Sequence, residues 1–102
     1  MKILYKGTKD KSFREMVVPY DLHTMQELVG GYIETVTVSD DRLHEKACVI
    51  CNEEGRLYGL DHNCVFLGID FVGPILIVGI DGEEFSDCPW TANMANGGID
   101  ES

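Results

Sequence analysis

Positive charge is scarce in the second half of this 102-residue chain: residues 51–102 contain one cation, Arg56, against ten Asp or Glu. Residues 1–50 carry seven Lys or Arg and eight acids, so they hold one unit of the net charge of −10 and the second half holds nine. A surface of this sign repels phosphate backbones and anionic lipid, and attracts basic protein surfaces. No direct binding of DNA or RNA is expected on that ground. The aromatic residues Tyr32, Tyr58, Phe66 and Phe71 have no basic frame around them. Solubility alone accounts for an acidic surface as readily as a partner does.

Long hydrophobic runs are also missing. No stretch approaches the roughly 20 apolar residues of a membrane span. The first residues, MKILYKGTKDK, contain no apolar run of signal-peptide length, so the expected compartment is the cytoplasm. With 44% apolar residues and a mean hydropathy of −0.07, the composition is that of one small globular domain.

Catalytic signatures are absent as well. There is no G-x-S-x-G and no H-E-x-x-H, and the glycines form neither G-x-G-x-x-G nor a phosphate-binding loop. His23, His44 and His62 are scattered. A pairing of His62 with Cys64 lacks the cationic surroundings that activate a thiol, because Asp61 and Asp70 lie close in sequence. The chain is expected to be no enzyme and to need no cofactor.

Four cysteines are present: Cys48, Cys51, Cys64 and Cys88. Cys48 and Cys51 form a C-x-x-C, but within the β-branched run Ala-Cys-Val-Ile-Cys, which reads as a strand. Positions i and i+3 of a strand face opposite ways, so a shared zinc is geometrically awkward. No metal site is expected, and the thiols are expected to be buried and reduced.

Apolar-polar alternation predicts strands at Lys2–Lys6, Phe13–Val18 and Tyr32–Val38. Asp21 precedes Leu22, Met25, Leu28 and Val29, one apolar helical stripe that Asp21 caps and Gly30-Gly31 stops. Leu22, Met25 and Leu28 are expected to pack on the sheet. Lys46–Cys51 reads as a strand, Asn52-Glu53-Glu54-Gly55 as a turn, and Arg56–Leu60 as the returning hairpin partner. Residues 61–74 read as irregular. Ile75–Ile80 reads as the central strand, followed by a type I′ hairpin at Asp81-Gly82 that leads to Glu83–Phe85. Residues 1–91 then form one α+β domain, a single antiparallel sheet of five to seven strands with one short helix packed on it. Residues 92–102 are expected to be a flexible tail.

The acids fall into two groups. Glu53, Glu54 and Asp61 bracket one predicted hairpin, and Asp81, Glu83, Glu84 and Asp87 lie on the other. Turns and edges expose such residues, where they also protect a sheet from aggregation. Rows of carboxylates can imitate a phosphate backbone in the cationic groove of a nuclease.

Two stretches acquire meaning together: Leu28-Val29-Gly30-Gly31-Tyr32-Ile33-Glu34 and Cys51-Asn52-Glu53-Glu54-Gly55-Arg56-Leu57-Tyr58-Gly59-Leu60-Asp61-His62-Asn63. With Gly73–Gly79 and the acidic Gly82–Phe85 turn, they resemble an uncharacterised family of small proteins carried by bacteriophages, plasmids and conjugative elements. The resemblance covers about residues 1–86. The chain departs from the pattern after Gly59-Leu60, where Asp61 and Cys64 replace the family's proline and arginine.

Three readings follow. In the first, a counter-defence protein in the bacterial host cytoplasm inhibits a host defence nuclease complex of restriction or CRISPR type. Its contacts would be Glu53, Glu54, Asp61, Asp81, Glu83, Glu84 and Asp87. In the second, the protein sequesters a nucleotide-derived immune signal. Asn52, Gly55, Arg56 and Asn63 would then line a pocket at a homo-oligomer interface. In the third, it is a structural or host-modulating module without a defence role.

Overall fold

Alternation and burial build two sheets from this chain across residues 1–43 and 45–100, the part that the computed structural model describes. The elements run β1 (Lys2–Lys6), β2 (Arg14–Val17), α1 (Leu22–Val29), β3 (Ile33–Val38), β4 (Ala47–Asn52) and β5 (His62–Phe66). They continue with β6 (Ile69–Val72), β7 (Ile75–Asp81), β8 (Glu84–Ser86), α2 (Ala92–Asn96) and β9 (Ile99–Asp100). The fold is α+β. The main sheet is antiparallel, in the order β2-β1-β7-β4-β3, with β8 paired to the end of β7.

β7 is central because it is apolar on both faces, as is its neighbour β4. Leu76 and Val78 of β7, Cys48 and Ile50 of β4 and Ile3 of β1 face α1 and pack against its Met25 and Val29. The alternate residues Ile75, Ile77, Val49 and Cys51 face the other way. They meet Phe66 and Phe71 from a second, three-stranded sheet, β6-β5-β9. Strands covered on both sides lose polar alternation, which is why these two read as continuous apolar runs. Each such fully buried side chain contributes about 1.5–3 kcal/mol of transfer free energy. Phe13, Phe66 and Trp90 stack edge to face in the core between the sheets. Cys48 and Cys51 point to opposite faces of β4, each into a different core.

Asp21 caps α1 by accepting from the His23 N–H at 3.0 Å, and Gly30 ends it with a left-handed φ of 82°. Met25 and Val29 are buried and Leu28 is half-buried, but Leu22 is 53% exposed, contrary to its expected place on the sheet. Leu22 opens the helix, whereas the helix is fastened at its other end, where Asn52 donates to the Val29 carbonyl.

Four further expectations are corrected. Arg56–Leu60 does not return as a strand: residues 53–59 form successive turns, closed by Tyr58 N–H to Glu54 O and Leu60 N–H to Gly55 O. Residues 61–74 are not irregular but hold the β5–β6 hairpin. Its two-residue loop is Leu67-Gly68, with φ of 49° and 82°, so the type I′ signs occur here. Asp81 instead pairs with Glu84, leaving Gly82-Glu83 as the loop, and of these two Gly82 alone has positive φ. Finally, the expected tail is built into the fold as far as Asp100. Thr91 caps α2, Ala95 is fully buried, Asn96 accepts from the Phe13 N–H at 2.7 Å, and β9 pairs with β5. Hydrogen bonds to distant backbone hold a segment that has little apolar surface of its own. His44, Glu101 and Ser102, which the sequence reading also covered, lie outside the described residues.

Candidate functional site

The register of β4 and β7 separates the acidic groups. Cys48 pairs with Val78, so the turn that follows Asn52 leaves from one end of the sheet and the β7–β8 hairpin from the other. Six strand residues at about 3.3 Å each put about 20 Å between them. Asp81, Glu83, Glu84 and Asp87 are exposed at the hairpin end, where Asp87 also accepts from the Lys2 N–H at 2.8 Å. At the turn end, Glu53 and Asp61 are exposed and Glu54 is half-buried. Among the described residues, none of these seven carboxylates is in an ion pair.

Asn52 organises the turn end. Its buried amide donates to Val29 O at 3.2 Å and accepts from the Glu54 N–H at 2.8 Å, while its own carbonyl receives the Gly55 N–H. One side chain thus ties the end of α1 to the turn. It passes so close to Gly31 that a Cβ there would lie 2.9 Å from the amide nitrogen. The Gly30-Gly31 and Asn52–Gly55 stretches, remote in sequence, are therefore two sides of one junction. Asn63 has a comparable duty. It donates to Lys6 O and Gly73 O and accepts from the buried Lys6 ammonium at 2.9 Å. Gly55 is buried, and a Cβ there would lie 3.1 Å from the Val72 side chain, so a larger residue would require Val72 to shift. Of the four residues considered for a small-molecule pocket, only Arg56 presents an exposed side chain.

Two clefts flank the turn, with Asn52 and Glu54 in the wall of both. The first, about 390 Å³, is bordered by Glu34, Glu53, Glu54 and Asp70 over an apolar floor that includes Val36, Cys51 and Phe71. Arg56 reaches Asp70 at 2.9 Å to its carbonyl and 3.2 Å to its carboxylate, and His62 meets the other carboxylate oxygen at 2.6 Å. These hydrogen bonds, from His62 first and then Arg56, hold the Asp70 carboxyl below its usual range. The single cation of the second half is thereby engaged. Cys51 is the thiol of this cleft, and burial pushes it up to about 11, away from nucleophilic use at neutral pH. Burial likewise raises Cys48, Cys64 and Cys88.

The second cleft, about 510 Å³, lies between the end of α1 and the turn, among Gln26, Glu27, Gly31, Tyr32, Glu54 and Tyr58. Tyr32 and Tyr58 are each 69% exposed, and Leu57 beside the first cleft is 79% exposed. A hydrogen bond to the Glu54 carboxylate raises the Tyr58 hydroxyl above its ordinary value. Sequence reasoning missed Glu27, Glu34, Leu57 and Asp70, and considered the two tyrosines only as nucleic-acid contacts. The signal was legible: a turn continued through Gly59 would have placed Leu57 and Tyr58 on the surface instead of on a strand. No group of three or more His, Cys, Asp or Glu among the described residues is placed to hold a metal ion.

Residues 1–94 match the family model described as Domain of unknown function (DUF3846), and the chain belongs to that family. No curated protein and no solved structure matches it.

Proposed function

We propose that this DUF3846 member is a non-catalytic binding protein, carried by a phage or mobile element and active in the host cytoplasm. It inhibits a host defence nuclease complex, of anti-restriction or anti-CRISPR type, by occupying a basic surface with DNA-mimicking carboxylates. The observation that carries this reading is the state of the seven acidic candidates: they sit at the two ends of the sheet, and no cation among the described residues neutralises them. Carboxylates left unpaired at a surface keep their full attraction for a cationic partner. The resemblance to mobile-element proteins supplies the biological setting.

A nucleotide sponge is the weaker reading. Asn52 and Asn63 have committed their amides to backbone, Arg56 is held by Asp70, and the cleft beside it is walled by Glu34, Glu53 and Glu54. A phosphate brought there meets repulsion from three carboxylates. Catalysis is disfavoured by the raised thiols and the absence of a recognised nucleophile-base motif.

Two double reversals test the proposal, Asp81→Lys with Glu84→Lys and Glu53→Lys with Glu54→Lys, scored for protection of phage from a sensitive defence system. None of the four carboxylates is buried, so stability is expected to change by less than about 0.5 kcal/mol. Reversal at the contacting end slows association about tenfold, on the order of 1.4 kcal/mol, with a steep salt dependence. Folded variants of both kinds that protect as well as wild type refute the acidic-surface mechanism.

A further inference from the structure

Two of the exposed tyrosines, Tyr32 and Tyr58, meet at one end of the sheet in company with clefts and carboxylates. Tyr32 follows α1 and Tyr58 ends the turn, yet both line the second cleft with Glu27 and Glu54. Leu57 and Ile69 stand over the first cleft with Glu34, Glu53 and Asp70. Aromatic faces and carboxylates in one cleft match the chemistry of one side chain above others. A guanidinium is planar and weakly hydrated, stacks on tyrosine rings, and offers a forked pair of donors to a carboxylate. An ammonium is a compact, strongly hydrated charge that gains less from the rings. Large, amphipathic, rotamer-poor residues such as tyrosine are also those that dominate interface energetics.

We propose that the 53–58 turn and its two clefts form a docking surface for an arginine-bearing basic segment of a partner protein. An arginine enters the second cleft against Tyr32, Tyr58, Glu27 and Glu54. An apolar neighbour on the same segment covers Leu57 and the floor of the first cleft. This rests on the reading that the protein binds a basic partner, and adds which end of the molecule does so and by what chemistry. Charge complementarity selects the occupant, since the rim carries carboxylates on both sides and its one arginine is already bonded to Asp70, while of the second cleft's carboxylates Glu27 also meets His23 at 2.6 Å. The surface is preorganised, because Asn52, the backbone hydrogen bonds of the turn and the Arg56–Asp70 contact hold it.

The test is fluorescence anisotropy with a labelled synthetic peptide of Arg-Ala-Leu repeats, alongside versions carrying lysine or citrulline in place of arginine. At about 0.15 M salt the Debye length is about 8 Å, so the hairpin end, about 20 Å away, is screened. Wild type should prefer the arginine peptide to the lysine peptide by about tenfold. Tyr32→Ala with Tyr58→Ala should abolish that preference with an unchanged melting temperature, and Tyr→Phe at both positions should restore it. Asp81→Lys with Glu84→Lys should leave binding within about twofold. Equal binding of arginine and lysine peptides, or indifference to the tyrosine pair, overturns the proposal. If the Asp81 and Glu84 reversals alone remove binding, this surface is wrong while the basic-partner reading stands. If no cationic peptide binds and the reversal variants also protect phage fully, both fall.

Discussion

At one end of the main sheet, the β7–β8 hairpin presents Asp81, Glu83 and Glu84, with Ile80 as its partly exposed apolar neighbour. At the other, the turn after β4 presents Glu53 and Glu54 beside Tyr32, Leu57 and Tyr58, over two clefts. The sign of charge is the same at both ends, so charge cannot choose between them. What differs is desolvation. Charged groups on a rim steer an encounter, whereas aromatic anchors next to a cleft exclude water and fix a complex once formed. A strong compositional bias marks a whole surface, and apolar exposure beside a cleft within it marks the candidate site.

The largest expected effect breaks the support of the turn end. Met25→Ala removes a buried side chain beneath α1 and should cost about 2–5 kcal/mol in chemical denaturation. Leu22→Ala, on the same helix but exposed, should cost less than about 0.5 kcal/mol. Equal costs would show that α1 is seated differently. A smaller effect, about 1–3 kcal/mol, is expected for Asn52→Ala, which leaves the Val29 carbonyl and the Glu54 N–H without their partner. Because the two ends are independent, this variant should lose activity that depends on the turn and keep any that depends on the hairpin. Loss of both would mean that the ends do not work separately.

The smallest effect concerns pH at the hairpin end, where the loop into β4 begins. Arg42 holds the Asp40 carboxyl at about 2, down from its ordinary 3.8, chiefly through side-chain hydrogen bonds. The pair therefore contributes its stability above about pH 4, and that contribution disappears as pH falls towards 2. The difference in melting temperature between wild type and Asp40→Asn should shrink across that window. A difference that stays constant would show that the carboxyl is not depressed. Since the Arg42 partner is solvent-exposed, the expected shift is small.

Local signals carried much of the fold. The cap at Asp21, the stop at Gly30, the central strand at Ile75–Ile80 and the opposed cysteines of β4 were all legible, because each follows from near-neighbour chemistry or strand periodicity. The second sheet was not. Gly68, Gly73 and Pro74 read as breakers, yet Gly68 serves a tight hairpin and Gly73 leads out of β6. Leu67 hid the hairpin further, since a leucine with φ of 49° is a poor turn signal and is held there by Gly98 and by packing on the core. The C-terminal helix was missed because its anchors are on Phe13, far away in sequence. As for the site, the acids were visible individually, but the meeting of Tyr32 with Tyr58 exists only after β3 and β4 pair.

The turn closes on its own backbone and on Asn52, so the outward side chains at Glu53, Leu57 and Tyr58 bear little of the fold's weight, and Arg56 adds only solvent-exposed bonds to Asp70. Such positions can be exchanged at low cost to stability. A lineage facing a changing target could then re-letter this short stretch while β4, β7 and the junction stay fixed. Sequence variety among relatives should gather at those four positions and thin out sharply at Asn52 and Gly31. The chain would in that sense be a display scaffold, with adaptability confined to one ridge.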